Sequence, residues 1–443
     1  MTFLLLALAC QSAPLSLSEA ESEALEVETR VDEDSETVLT VTWTTETTSD
    51  AVLEYGTDDR YGAVVEGWSS DDGLEHAVVL AGLSADLEWH WRAVAQTEDG
   101  ELVSADGVFQ PPSPPNDLPR LQVAGNSDQL VLSPVIGGES FAAIYNGAGE
   151  PVWWRKLSTS PVTFTQARMS HDGKAVIVMA TLPELGESMA IVRMPVAGGA
   201  PVITYTPNGH HDFVELPTGG YAVLVKDVRP FGSDTVEGDA IVEFELDGTS
   251  RTVWSTWDAG DPDHLDAMAT LVSGDKEWTH DNSLALLDGN YWVSSHRLCT
   301  VSIVHAQTGA LVAELGSGGD VALTGGDGFG PQHAALPVEG GFLVFNNRPT
   351  NGGEMWSEAV QYDVDLRAGT YARAWSYDAD RSVTTRMLGN VEPLPQGGHL
   401  VSWGSAGRLT ILNEAHEPTW EASAPLGHGF GYSHAVREFS GEP

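Results

Sequence analysis

One phrase recurs through the second half of the chain and restricts its fold more than any other feature: an apolar strand, a glycine turn and a second apolar strand. In three copies the phrase follows a histidine, namely His211, His280 and His333. It recurs without one in NVEPLPQGGHLVSW and, more faintly, in ARMSHDGKAVIVM. Recurrence at intervals of roughly 45–70 residues is typical of repeat proteins built from small sheets, such as β-propellers.

The three histidines occupy one position of this repeat. Equivalent positions in different propeller blades point at a common axis, so residues far apart in sequence meet at the hub. We therefore expect His211, His280 and His333 to lie within a few ångströms of one another. A cluster of imidazoles in a channel predicts a functional site, because imidazole titrates near neutral pH and can act as nucleophile, acid or base.

The chain of 443 residues is too long for one ordinary hydrophobic core. Residues 25–110 alternate apolar and polar residues in short segments, which predicts a β-sandwich similar to a fibronectin type III domain. Residues 111–119, PPSPPNDLP, predict a stiff linker. Residues 120–443 hold short strands and glycine turns, and at about 50 residues per blade they predict a six-bladed β-propeller. The predicted fold class is therefore all-β.

Two further segments carry predictions about the propeller. The final apolar segment, SHAVREF, is expected to complete the first blade and close the ring, which removes exposed sheet edges. Residues 257–278 are too long and too polar for a hairpin loop. We expect an inserted loop with a helical turn over one face of the disc.

The N-terminal sequence MTFLLLALAC indicates export. A short apolar segment, Phe3–Ala9, precedes Cys10, as in bacterial lipoprotein signals whose cysteine becomes lipidated. Residues 1–10 are then a signal peptide and residues 11–24 a flexible acidic tether. We expect an extracytoplasmic, cell-envelope protein, either an outer-membrane lipoprotein or a periplasmic or secreted one. Ordinary secretion and a mis-assigned start are the alternatives.

The formal net charge of −43 limits the partners of this protein. Nucleic acids and anionic membrane surfaces would be repelled, so we expect no nucleic-acid partner and no membrane contact except through the anchor at Cys10. An anionic substrate would need a local group of cations, which histidines and arginines in the channel can provide.

Three motifs follow one another in a specific order. They are His211-Asp212 with Leu216-Pro217 and Gly219-Gly220, then Trp278 to Ser283, and then Gln332-His333 with Leu343 to Asn347. Together, over roughly Asn208 to Gly404, they resemble the bacterial arylsulfotransferases. Those are extracytoplasmic enzymes, independent of the nucleotide sulfate donor, built as a six-bladed propeller with an N-terminal β-sandwich.

The resemblance implies a role for each motif residue. His333 would attack sulfur and carry the sulfuryl group, and His211 and His280 would bind sulfate oxygens or relay protons. Asn282 would line the site, and His210 is a further candidate for substrate contact. The implied substrates are an aryl sulfate donor and a phenolic acceptor, and no cofactor is implied.

The sequence departs from the family pattern at two places. Where the family has Ser-Ser-Arg, with an arginine that holds sulfate, this chain has Ser294-Ser295-His296-Arg297. Because side chains alternate along a strand, Arg297 is expected to face away from the channel unless a bulge redirects it. His296 then occupies the arginine position. The third motif ends in Phe-Asn-Asn where Phe-Asp-Asn is common.

Two other interpretations use the same residues. His211, His280, His333 and His210 could bind a transition metal, because three imidazoles with an open position form a catalytic zinc site. Alternatively, the propeller could be a non-catalytic surface module that binds a ligand in its channel.

Overall fold

The structure is a computed structural model that describes residues 25–156, 163–182, 189–262, 268–347 and 356–436. The predicted lipidation site Cys10 and the tether 11–24 lie outside the described residues. Within them, nearly all regular structure is β-strand, as the sequence predicts. None of the described helices is long and apolar enough to span a membrane.

The first nine strands form two antiparallel sheets packed face to face. One sheet has the order β1-β2-β6-β5, and in the other β4-β3-β7-β8 is joined by β9 on β7. Trp43, Leu53 and Trp91 from both sheets share one buried cluster. The segment thus forms a β-sandwich, while its kinship to fibronectin type III stays a prediction. The strand bounds are β1 Val27–Val31, β2 Leu39–Thr44, β3 Val52–Gly56, β4 Ala63–Glu66, β5 Trp68–Ser69, β6 Glu75–Leu80, β7 Trp89–Thr97, β8 Gly100–Val103 and β9 Gly107–Phe109.

Six further sheets follow in the described residues, which confirms the six-bladed propeller. Before the first blade comes β10 Gln122–Gly125. Blade one contains β11 Leu130–Ile136, β12 Phe141–Tyr145 and β13 Pro151–Arg155. Blade two contains β14 Thr163–Met169, β15 Ala175–Thr181, β16 Met189–Pro195 and β17 Val202–Tyr205. Blade three contains β18 Gly209–Glu215, β19 Tyr221–Phe231, β20 Asp234–Phe244 and β21 Ser250–Ser255.

The remaining blades follow in chain order. Between blades three and four lie α1 Thr256–Ala259, β22 Ala269–Thr270 and β23 Lys276–Glu277. Blade four contains β24 Asp281–Leu287, β25 Asn290–Ser295, β26 Thr300–His305 and β27 Leu311–Gly316. Blade five contains β28 Ala322–Gly325, β29 Gln332–Val338, β30 Gly341–Asn346, β31 Glu358–Asp365 and β32 Thr370–Tyr377. Blade six contains β33 Asn390–Pro393, β34 His399–Ser402, β35 Arg408–Leu412 and β36 Pro418–Ser423. Last come β37 Gly429–Phe430 and β38 His434–Val436, and two 3-10 turns span Ala379–Arg381 and Gly404–Ala406.

Both ends of the propeller segment close the ring. At one end, β10 pairs with β36 as the outer strand of blade six. At the other, β38 and β37 pair with β11 and complete blade one. Asn390 reinforces this closure, because its amide bonds both the carbonyl oxygen and the N–H of Ser433, at 2.7 and 2.9 Å. The described part of SHAVREF therefore lies where the sequence places it.

Hydrophobic packing joins each blade to the next. Six buried clusters each combine apolar side chains from two adjacent blades, and the last joins blade six back to blade one. The cluster between blades one and two also takes in Val38 and Val79 of the sandwich. Ser35 Oγ donates to Val196 O at 2.7 Å across the same boundary. The sandwich thus packs against the rim of the propeller.

The described parts of the segment 257–278, residues 257–262 and 268–278, contain regular structure. The segment begins with the helical turn α1, which Ser255 caps through its side chain. Strand β23 then pairs in parallel with β20, and β22 pairs with β23. The predicted helical turn is present, and strand β23 adds to blade three through its pairing with β20. This extension brings Glu277 to the inner strand of blade four.

Candidate functional site

The inner strands of blades three to five are bulged where the predicted histidines lie. The pairing register shifts between Gly209 and Phe213, and again between His333 and Leu336. His211 and His280 have φ angles of 57° and 52°, in the left-handed region. Such backbone costs of order 1–3 kcal/mol for a residue with a Cβ and persists only where its surroundings enforce it. The bulges turn the imidazoles toward the propeller axis.

The predicted meeting of the histidines occurs, and two more join them. The ring centroids of His211 and His280 lie 4.8 Å apart. His296 lies 5.4 Å from His280 and 5.0 Å from His333. His210 lies 5.0 Å from His211 on the other side. Five imidazoles therefore form one continuous series of ring contacts at the hub.

Four of these rings open into a cavity of about 410 Å³. Its described lining residues are Thr165, His211, His280, His296, Arg297, His333, Arg386, Met387, Leu388 and Tyr432. Tyr432 is buried at its floor and donates from its hydroxyl to Asn282 O at 2.8 Å. The cavity lining thus combines imidazole and guanidinium nitrogens with apolar and aromatic side chains.

The hydrogen bonds around His333 fix which of its nitrogens carries the proton. Asn347 donates both amide protons, to Thr385 O and Leu388 O at 3.1 Å each, so its Oδ1 can only accept. His333 Nδ1 lies 2.7 Å from that oxygen and must therefore carry hydrogen. Burial, followed by the charge of His296, lowers the pKa of His333 to about 3. The neutral ring thus keeps a lone pair on Nε2.

One carboxylate holds two cavity residues. His280 Nδ1 lies 2.6 Å from Glu277 Oε1, and Arg297 Nε donates to Glu277 Oε2 at 2.8 Å. Burial favours a protonated Glu277, but the hydrogen bonds and charges of His280 and Arg297 lower its pKa to about 2. The ionised carboxylate orients both groups at the edge of the cavity.

The expectation that Arg297 faces away from the channel was wrong. Strand β25 ends at Ser295, and His296 and Arg297 lie in the turn that leads to β26, where strand alternation does not apply. Main-chain hydrogen bonds from both residues return to the segment before β24. As a result both side chains line the cavity. His296 Nδ1 lies 3.1 Å from Gln332 O.

His210 and Asn282 are not among the described residues that line the cavity, and their contact with substrate stays a prediction. His210 lies behind His211, and their Nδ1 atoms are 2.7 Å apart. Its Nε2 lies 2.9 Å from the buried Asp239. Asn282 is fully buried and donates to Gln332 O at 2.6 Å, so it holds the main chain next to His333.

Sequence reasoning did not identify all the residues that contact and orient the clustered histidines. Asn347 stands in the third motif, but nothing in the motif indicates that it bonds His333. Asp239 lies in strand β20 beside the apolar run Ala240-Ile241-Val242, and a carboxylate next to such a run is a signal that sequence reasoning can use. Glu277 precedes the second motif by one residue. In the described residues no group of three His, Cys, Asp or Glu side chains is arranged to hold a metal ion.

The sequence also matches a family model, that of arylsulfotransferase (ASST), over residues 130–425. The chain belongs to the arylsulfotransferase family. The match spans blades one to six and includes every histidine of the cluster, so the resemblance of the three motifs is confirmed. No curated protein matched the sequence.

The solved structures that resemble this arylsulfotransferase-family chain have low sequence identity to it. A protein of unknown function from Bacteroides caccae is 15% identical, with a TM-score of 0.46, and covers 70% of this chain and 100% of its own. A streptogramin B lyase is 11% identical, with a TM-score of 0.40, and covers 69% of this chain and 88% of its own. The fold assignment therefore depends on the sheets themselves and on the family match.

Proposed function

We propose that this protein moves a sulfuryl group from an aryl sulfate to a phenol through a sulfohistidine at His333. The observation that carries the proposal is the fixed tautomer of His333. Its Nδ1–H is bound to Asn347, and its Nε2 lone pair is left for the cavity. A neutral imidazole held in this way is a positioned nucleophile.

The first half-reaction transfers the group to the enzyme. The Nε2 lone pair of His333 forms a bond to sulfur as the bond between sulfur and the phenolic oxygen breaks, and the electron pair leaves with the aryloxide. In the second half-reaction an acceptor phenol attacks the same sulfur, and the N–S electron pair returns to His333. One cavity serves donor and acceptor in turn, so ping-pong kinetics are expected.

In this mechanism His280 and Arg297 stabilise the sulfuryl oxygens. His280 and Arg297 lie at the cavity edge and share the Glu277 carboxylate. His211 faces the same space from blade three. Positioned donors of this kind stabilise charge that spreads over the oxygens in the transition state. His296 packs edge-on against His333 and restricts the plane of the nucleophile.

The apolar part of the cavity lining suits an aromatic ring. Met387 and Leu388 lie in the segment before blade six and line the cavity with Tyr432. Met387 is 62% exposed, so it stands at the cavity mouth. Apolar side chains together with nitrogen donors match the two ends of an aryl sulfate.

The test is a rapid-mixing experiment with an aryl sulfate that releases a coloured phenol. We expect one equivalent of phenol per enzyme before steady turnover, with an acid-labile sulfo group on His333 by mass spectrometry. His333→Asn should abolish both signals, while His434→Asn, an imidazole outside the cavity, should keep them. A full burst in His333→Asn would contradict the assignment.

A non-catalytic binding function has one observation in its favour. Arg297 is already paired with Glu277, so binding an anion there has to compete with an existing ion pair. On that hypothesis aryl sulfates bind the wild-type protein in calorimetry, but neither phenol release nor a labelled histidine is observed.

We also propose that the protein functions outside the cytoplasm, attached through a lipid on Cys10. The support is the short apolar segment before that cysteine. Expression with a radiolabelled fatty acid should label the wild type but not Cys10→Ala, and the variant should move from the membrane to the soluble fraction. Equal labelling of both proteins would exclude lipidation at Cys10.

A further inference from the structure

We propose that Asp239 and His210 form a proton store behind His211, which takes the proton from the acceptor phenol during the second half-reaction. This inference depends on the proposed sulfuryl transfer and assigns a positioning and proton-transfer role to two residues outside the cavity. It is carried by the contacts that connect Asp239, His210 and His211.

The contact between His210 and His211 requires a shared proton. The Nδ1 atoms of His210 and His211 lie 2.7 Å apart, a hydrogen-bond distance. Two lone pairs or two N–H groups facing each other at this distance would repel, so one proton lies between the rings. That proton belongs either to His210 or to His211.

The position of this proton sets what His211 presents to the cavity. When His210 holds the proton, a neutral His211 carries its own hydrogen on Nε2 and donates into the cavity. When His211 Nδ1 holds the proton, its Nε2 is a lone pair that can accept one. Burial, followed by the neighbouring His210 and His280, lowers the pKa of His211 well below 6.5, which favours the neutral ring in both states.

Asp239 contacts the ring nitrogen of His210 that does not face His211. Its Oδ1 lies 2.9 Å from His210 Nε2, while its Oδ2 accepts from Thr279 Oγ1 at 2.5 Å and from the Asp281 N–H at 2.7 Å. Burial opposes ionisation, but His210 and these donors lower the pKa of Asp239. The pKa of the adjacent Asp281 is raised well above its usual value by burial and by the charge of Asp239.

The proton moves along one path in both half-reactions. The acceptor O–H gives its proton to His211 Nε2 as its oxygen bonds to sulfur and the N–S electron pair returns to His333. His211 passes its Nδ1 proton to His210, which becomes an imidazolium next to the Asp239 carboxylate. In the next first half-reaction the proton returns along the same path to the departing aryloxide. The cycle neither consumes nor releases a proton beyond what the substrates carry.

Acceptor phenols of different acidity distinguish a proton-transfer role of His210 from a purely structural one. A weakly acidic phenol, with a pKa near that of tyrosine at about 10, needs a base, whereas an acidic nitrophenol is already ionised near neutral pH. In His210→Asn, whose amide can still hydrogen-bond His211, we expect transfer to unsubstituted phenol to fall about 10²–10⁴-fold. Transfer to the nitrophenol should fall less than about threefold, and the first phenol burst from a nitrophenyl sulfate should persist.

Two matched variants complete the experiment. Asp239→Asn should show the same selective loss, but its buried position makes His210→Asn the decisive variant if Asp239→Asn does not fold. His434→Asn removes an imidazole that also pairs with a carboxylate, Glu392, at 2.7 Å, and should leave both acceptors unaffected. Near-ultraviolet circular dichroism checks the folding of each protein.

The possible results test the proton store and the sulfuryl transfer separately. An equal loss with both acceptors in folded His210→Asn overturns the proton store and leaves sulfuryl transfer intact. Absence of any burst in the wild type overturns the proposed function, and the proton store with it. Selective loss with the weakly acidic phenol, together with an unchanged burst, supports both.

Discussion

Asn347 accepts a hydrogen bond from His333 Nδ1 at 2.7 Å and donates both of its own amide protons to main-chain carbonyl oxygens. The asparagine cannot rotate its amide without losing two bonds, so it holds His333 in one tautomer. Asn347 therefore decides which nitrogen is nucleophilic, although it does not touch substrate in the proposed mechanism.

Replacing Asn347 with aspartate should change the pH dependence of donor cleavage. A carboxylate beside Nδ1 stabilises the imidazolium, so the pKa of His333 rises from about 3. Because only the neutral ring attacks sulfur, the acid limb of the kcat/KM profile for the donor should move to higher pH. Asn413→Asp, at a partly buried position between β35 and β36, is the matched control. If the acid limb of the profile does not shift in folded Asn347→Asp, the hydrogen bond assigned between His333 and Asn347 is contradicted.

Arg297→Ala should weaken use of the donor by more than about tenfold in kcat/KM, because the guanidinium lines the cavity beside His280. Arg229→Ala removes an exposed arginine that pairs with Asp227 and should have little effect. Steady-state kinetics with an aryl sulfate provide the measurement. Equal values for the two variants would mean that Arg297 serves Glu277 rather than the substrate.

The net charge of −43 should slow the approach of an anionic donor at low salt. Raising the ionic strength from 0.01 to 0.15 M shortens the Debye length from about 30 to about 8 Å, which screens the repulsion. We expect kcat/KM for the aryl sulfate to rise about two- to fivefold over this range, while that for an uncharged phenol stays nearly constant. A decrease for the donor would indicate an attractive local field instead.

Acid should destabilise the fold through its buried histidines. An imidazole in the unfolded chain binds a proton near pH 6.5, whereas folded His333 does so at about pH 3. Between these values the unfolded state binds more protons, so the free energy of unfolding rises with pH by up to about 1.4 kcal/mol per unit for each such group. This stability is complete above about pH 6.5 and is lost as the pH falls toward 3.

Urea unfolding between pH 4 and pH 7 checks this slope. His333→Asn should give a shallower dependence than the wild type, by about the contribution of one histidine. His171→Asn is the control, because His171 is an exposed residue of blade two. Parallel curves for wild type and His333→Asn would contradict a buried, neutral His333.

Asn390→Ala should lower the free energy of unfolding by about 1–3 kcal/mol, because it leaves buried main-chain groups of Ser433 without their partner. Thermal unfolding monitored by circular dichroism provides the measurement. Gln96→Ala, on an exposed face of the sandwich, should change stability by less than about 0.5 kcal/mol. Equal effects would argue against a closing role for the Asn390–Ser433 pair.

Periodicity along the sequence predicted the six blades and the meeting of His211, His280 and His333, since a repeat places equivalent residues alike. It did not predict the direction of Arg297, because alternation holds only within a strand and β25 ends two residues earlier. The pairing of His210 with Asp239 joins two strands of blade three that are not neighbours in its sheet. A contact of that kind has no short-range sequence signal.

The double closure of the ring also orders the assembly of the cavity. Tyr432 forms its floor, yet this residue lies between the two strands that complete blade one. During synthesis on the ribosome, the histidines of blades three to five emerge first, and their common pocket is finished only when the latest strands dock. A nascent chain arrested before blade six would therefore present imidazoles without a pocket, and sulfuryl transfer would be confined to molecules that have finished folding.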